Sequence, residues 1–328
     1  MSTVIIRSRL ARWMALTVCM CLVSTSVLAQ DAYPNRAIKI IAPVGAGSIA
    51  DLVPRLIAEK LARRWGNRVY VENRPGGNTN IGAEAAARSE PDGYTLLAAP
   101  ATTLAVNPSL FPKLTAALTA FVPVTVLADQ PNILVANPKL PFSNARELIE
   151  FAKANPGKLT YASPGVGSVQ HLSMELLASM TGIALVHVPY KDLPEAVNDV
   201  VAGRVDLLFD NLGSAAPLIK SGNLKAIAVG SRRRNALLPD LPSLSEAVPG
   251  FRSVTWFAIV APPKTPPGIA AKLSAAIAGI LKTADVTNRF RDLYATPVGS
   301  SPADTAAFFA EERKRWRSAV VSAGIKVK

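Results

Sequence analysis

The chain has 328 residues, 49% of them hydrophobic, and a formal charge of +13. This length and apolar content exclude a disordered chain or a disulfide scaffold and allow one or two sizeable cores. The positive excess favours anionic partners without naming one.

Residues 1–29 read as a secretory signal peptide. Arg7, Arg9 and Arg12 make a basic start, Met14 to Val23 is an apolar run, and Val27-Leu28-Ala29 offers a small-residue cleavage site before Gln30. Export to the periplasm is expected, with cleavage near Ala29. Both cysteines, Cys19 and Cys21, fall inside this leader, so the exported part must be held by its core alone.

Strand-like runs follow at Ile38–Ala42, Val69–Glu72, Tyr94–Ala98, Ile133–Ala136, Leu159–Ser163, Leu185–Pro189, Val205–Asp210 and Leu224–Val229. Between them, helical patterns lie near 51–65, 79–89, 143–154, 168–181, 194–202 and 214–221. Such alternation predicts an α/β protein with parallel sheet covered by helices. A late strand, Val254–Ala261, is followed by a proline-rich connector and helices near 268–282 and 302–322. With crossings near residues 128 and 254, the predicted division is 31–128 with 255–328 as one domain and 129–254 as the other.

Two loops share one design: Gly45-Ala46-Gly47-Ser48 and Gly165-Val166-Gly167-Ser168, about 120 residues apart, each between a strand and a helix. Glycine permits turns closed to other residues, and a helix start carries N–H groups without acceptors and a partial positive charge. Two such anion sites on different domains predict two jaws closing on one small anion. Ser168 either caps its helix or gives its hydroxyl to the ligand; His171, in the first turn, either packs or touches the ligand. In the first loop Asp51 is the expected cap, because Pro54 would then fall in the first turn.

Enzyme signatures are thin. His171 and His187 form no HxxxH or HExxH pattern, so no metal site is expected, and neither glycine loop has nucleotide-binding spacing. Asp206 and Asp210 share a strand face, and Asp210 at the strand end is either structural or within reach of a cleft. Scattered basic residues and export argue against nucleic acid as a partner.

The order of short motifs resembles the Bug-type solute receptors of tripartite tricarboxylate transporters. They are Tyr33-Pro34, Glu72-Asn73-Arg74-Pro75-Gly76, Pro91-Asp92-Gly93-Tyr94-Thr95, Lys153-Ala154-Asn155-Pro156-Gly157, Tyr161-Ala162-Ser163, His187-Val188-Pro189-Tyr190-Lys191, and Trp256 before Ala261-Pro262. The resemblance implies a two-domain, type II periplasmic binding protein of the Venus-flytrap kind with its ligand cleft between the domains. It implies capture of a small organic carboxylate and delivery to a membrane permease, with no enzymatic activity and no cofactor; a monomer is expected. Alternatives are a partner presenting ligand to a signalling receptor, or an enzyme acting on a small carboxylate. The implied ligand residues are Val44, Gly45, Gly47, Ser48 and Ala50 from the first loop, Ala99, and Ser163, Gly165, Gly167, Ser168 and His171 from the second, with Tyr190 and Asp210 at the side. Three places depart from the family pattern. Val44-Gly45-Ala46-Gly47-Ser48 replaces Phe-Pro-Ala-Gly-Gly, Asn78-Thr79-Asn80 replaces a more glycine-rich stretch, and Asp192 replaces the glycine of Tyr-Lys-Gly. Asp192 either turns to the cleft and selects the solute or caps the helix beginning at Pro194.

Overall fold

The computed structural model describes residues 33–322, 324 and 325, so the proposed signal peptide lies outside the described residues. The elements below lie within Ala37–Lys328. The chain begins β1 (Ile38–Ala42), α1 (Ile49–Trp65), β2 (Val69–Asn73), α2 (Asn80–Ala87), β3 (Thr95–Pro100), then short helical turns across 102–119. A 15-residue strand, β4 (Val122–Ala136), leads to α3 (Ala145–Ala154), β5 (Thr160–Ser163), α4 (Val169–Thr181), β6 (Val186–Pro189) and α5 (Leu193–Ala202). Then come β7 (Leu207–Asn211), α6 (Leu212–Lys220), β8 (Lys225–Val229), β9 (Val254–Ala261), α7 (Pro267–Leu281), α8 (Ala284–Asp292), β10 (Thr296–Pro297) and α9 (Pro302–Ser322).

The strands follow the path β2-β1-β3-β9-β4-β7-β5-β6, with β8 and β10 paired to β4. Parallel ladders join β1 to β2 and β3 at one end and β5 to β6 and β7 at the other. Antiparallel β4 and β9 stand between. β4 pairs with β9 as far as Pro131 and with β7 from Asn132 onward. One strand therefore spans both ends, where the sequence pattern gave only Ile133–Ala136. Pro123, Asp129, Gln130, Pro131 and Asn132 break its apolar alternation, and two register shifts within Pro123–Ala128 absorb the irregular part.

Each end has its own core. On one, Ile41, Leu97, Ala99, Val126, Trp256, Phe309 and Trp316 pack together; on the other, Leu134, Phe142, Leu148, Tyr161, Leu177, Phe209 and Phe251. Val169 and Leu172, from the first turn of α4, belong to the first of these cores. The start of α4 is thus seated among residues of the β1–β3 end. Trp256 stacks on Phe309, with centroids 5.2 Å apart, and donates from Nε1 to buried Glu312 at 2.8 Å. This fastens α9 to β9.

The helices near 143–154, 168–181 and 302–322 form within two residues of their expected bounds. The start of α1 differs. Ser48 holds the N-cap position with extended backbone, so Pro54 lies inside the helix and Asp51 in its first turn. α8 was not visible in the sequence, because only Val286 and Phe290 of its nine residues are buried.

Candidate binding site

The first loop joins β1 to α1. Gly47 has φ +87° and donates its N–H to Asp51 Oδ2 at 2.9 Å, while Ser48 Oγ donates to the Gly45 carbonyl at 3.2 Å. Asp51 is nearly fully buried and also accepts from Arg55 Nε and from Asn73 Nδ2 at 2.8 Å. Burial alone would raise its pKa, but these hydrogen bonds outweigh it and hold the carboxyl below its ordinary range. Asn73 Nδ2 also donates to the Val44 carbonyl at 3.1 Å. Val44 is half-buried, Gly45, Ala46, Gly47 and Ser48 are exposed, and Ala50 is buried in the first helical turn. Ile49 and Ala50 present first-turn N–H groups with no helical acceptor.

The second loop joins β5 to α4 and repeats the construction. Gly167 has φ +81° and donates its N–H to His171 Nδ1 at 3.1 Å; Ser168 Oγ donates to the Gly165 carbonyl at 2.8 Å. Ser168 is also the cap, accepting from the His171 N–H at 3.2 Å. Ser163 ends β5 fully buried, its Oγ 2.6 Å from His187 Nε2 and accepting from the Gly165 N–H at 3.2 Å. First-turn N–H groups of Val169 and Gln170 again have no helical acceptor.

Behind this loop the two histidines stack, centroids 4.1 Å apart, and His187 stacks on Tyr161 at 4.8 Å. Tyr161 donates to Glu175. Burial lowers both histidines to about 4, and for His187 the neighbouring His171 adds to the effect. Neutral at pH 7, His171 can keep Nδ1 as the acceptor that Gly167 needs.

The other expected residues are spread. Ala99 is fully buried inside β3, opposite Ala258 of β9. Tyr190 follows β6, donates its N–H to the Ser163 carbonyl at 2.9 Å and its hydroxyl to Asp199 at 2.7 Å. Burial first, then the Asp199 contact, raises the Tyr190 phenol to about 12. Of the two roles open to Asp192, the structure contains the cap: its Oδ1 accepts from the Glu195 N–H at 3.0 Å. Asp210 is fully buried near the end of β7. Its Oδ1 accepts from the Asn211 N–H at 2.6 Å and from Ser214 Oγ at 2.9 Å.

The sequence reading gave no site role to Leu110 and none to the turn that Asn107 holds. A Cβ on Gly167 would run into Leu110 Cδ1 and come 3.8 Å from Asn78 Nδ2. Asn78 belongs to a run of four left-handed residues, with φ of +116° at Gly76, +57° at Gly77, +53° at Asn78 and +74° at Thr79. Asparagine tolerates such a backbone, whereas for β-branched threonine it is costly. Fully buried Asn107 supports it, donating to the Asn78 carbonyl at 2.7 Å and to Asn80 Oδ1 at 2.8 Å and accepting from Asn78 Nδ2 at 2.9 Å. The helix that follows the turn, α2, packs against the residue before the first loop, since Gly82 has no room for a side chain against Pro43. The turn's one sequence signal was the departure at Asn78-Thr79-Asn80.

Among the described residues no group of three or more His, Cys, Asp or Glu side chains is placed to hold a metal ion, and no helix is long and apolar enough to cross a membrane. The chain resembles solved periplasmic binding proteins over almost its whole length. It is 34% identical to Rpa4515 of R. palustris, solved with adipate, covering 90% of this chain and 99% of that one with a TM-score of 0.82. To the periplasmic binding protein BugD it is 32% identical, covering 90% and 100%, with a TM-score of 0.79. To MatC of Rhodopseudomonas palustris, solved with malate, it is 32% identical, covering 88% and 100%, with a TM-score of 0.78. The fold is therefore the mixed α/β, two-domain fold of these binding proteins, whose family consists of receptors and not of enzymes. The model described as "Tripartite tricarboxylate transporter family receptor" matches residues 53–325, and the chain belongs to that family.

Proposed function

We propose that this protein is a periplasmic receptor that binds a small organic carboxylate between two loops and, as a monomer, delivers it to a tripartite tricarboxylate-type permease. The observation that carries the reading is the pair of matched loops. Each is pinned by a glycine N–H to its own helix, and each ends at first-turn N–H groups that have no helical acceptor. Rpa4515 and MatC, solved with adipate and malate, support a carboxylate as the solute.

In this reading, residues 31–128 with 255–328 form one lobe and 129–254 the other, after a signal peptide at 1–29. The passage of β4 from β9 to β7 between Pro131 and Asn132 supports a division close to there. The site comprises Val44, Gly45, Gly47, Ser48 and Ala50, then Ser163, Gly165, Gly167, Ser168 and His171. Ala99 belongs to the site as well, and Tyr190 and Asp210 line its side. Leu110 and Asn78 close one side against Gly167.

A thermal-shift screen of the mature chain tests this. A carboxylate at 100 times its Kd should add about 2.7 kcal/mol to stability. A shift by neutral or cationic solutes with none by any carboxylate would contradict the reading.

A further inference from the structure

The two loops supply donors, yet the strand end beside the second loop supplies acceptors. Asp210 is 0% exposed, and only one of its two oxygens is engaged. Oδ2 is buried with no hydrogen-bond partner among the described residues, and the same holds for Oδ1 of Asn211, the next residue. A buried carboxylate oxygen left without a donor is costly to a fold, and a bound solute is one way to supply that donor.

Its position points to that use. Ala162 pairs with Leu208, and Ser163 pairs with Pro189. Carried on by two residues and by one, these parallel registers set Pro164 between Asp210 and Tyr190. On its other side Asp210 pairs with Ile133 of β4. Asp210 therefore stands level with the first residue of the Pro164–Ser168 loop, at the carboxyl end of the parallel strands, where open α/β sheets receive their ligands.

We propose that Oδ2 of Asp210 accepts a hydrogen bond from the bound solute, so that the site prefers carboxylic acids carrying a hydroxyl or ammonium group over plain ones. The proposal rests on the carboxylate reading above and narrows it. The acid group meets N–H donors of the loops, and the second polar group of the solute meets the acceptor on β7. Burial raises the Asp210 carboxyl to about 6, the direction expected of a carboxylate that has not been given enough donors. Adipate, held by Rpa4515, lacks such a second group, whereas malate, held by MatC, has a hydroxyl. The proposal therefore expects a solute of the malate kind here and not one of the adipate kind.

Calorimetric titration of the full mature chain with malate, aspartate, succinate and adipate is the test. These separate a hydroxyl, an ammonium and no donor. Malate or aspartate should bind at least about tenfold tighter than succinate, and whichever of the two leads identifies the donor. Asp210→Asn keeps an acceptor for Asn211 and Ser214 but turns an NH2 group toward the solute, so it should reduce that preference to within about threefold. A melting curve like the parent's would show that the variant is folded. Succinate binding as tightly as malate and aspartate in the parent would overturn the proposal and leave the carboxylate reading standing. So would an unchanged ranking in folded Asp210→Asn. Binding of none of the four would overturn the proposal, and the thermal-shift screen above then decides the carboxylate reading by itself.

Discussion

Gly47 and Gly167, about 120 residues apart, hold the same place in two loops: each has φ near +80° and gives its N–H to the side chain four residues on, Asp51 in one case and His171 in the other. The serine after each glycine returns its hydroxyl to the carbonyl three residues back. The glycines that looked like ligand donors in sequence are thus partly spent on building the loop. What they leave for a solute is the set of N–H groups at the first helical turn. The two anchors differ in charge, one an ionised carboxylate and one a neutral imidazole, and this difference is open to experiment.

Gly167→Ala should destabilise the protein by at least about 1 kcal/mol, because φ is +81°, and the new methyl would in addition push Leu110 Cδ1 aside. Adding Leu110→Ala relieves the clash but not the backbone strain. The double variant should therefore show less than the sum of the two single losses in urea unfolding. Full additivity would show that Leu110 does not rest on Gly167.

Asp51→Ala removes the acceptor of Gly47, Arg55 and Asn73 together. A loss of roughly 2 kcal/mol or more is expected, with weaker carboxylate binding, since the loop loses its tie to α1. Calorimetric and chemical unfolding of the variant measure the two effects. A stability equal to the parent's would mean that the carboxylate does not organise the loop.

Stability should fall as the pH is lowered from about 6.5 toward 4. His171 and His187 are held at about 4, below the ordinary value of 6.5, so the unfolded chain takes up protons first and stability is lost through that interval. Asp210, raised to about 6, works in the opposite direction, losing stability as pH rises through about 6, and Asp129 is raised too. His171→Gln keeps an acceptor oxygen for Gly167 but has no proton to gain. Its melting temperature should therefore change less between pH 6.5 and 4.5 than the parent's; an identical slope would contradict the assignment.

Asp192→Ala should cost about 1 kcal/mol through loss of the cap of α5 and leave the order of solute affinities unchanged. A reordering on titration would return Asp192 to the role of selector.

Much of the fold was legible because it is written in local signals. Asn155-Pro156-Gly157 separates α3 from β5, and Ser168 and Gly182 bound α4 where expected. The N-terminal half of β4 was not legible. Its buried polar and proline residues are tolerated because neighbouring strands of distant sequence cover them, a fact no window of residues contains. The loops were found by their glycines. The stack of His171, His187 and Tyr161 was hidden, since it joins three elements through space. The wall of Asn78 and Leu110 was hidden for the same reason.

A crystal structure of the mature protein with its tightest-binding carboxylate tests whether both loops hold the solute. Oxygens of one bound acid should lie within about 3.2 Å of N–H or hydroxyl donors from both Val44–Ala50 and Ser163–Ser168. An acid bound to one loop alone, or away from both, would contradict this.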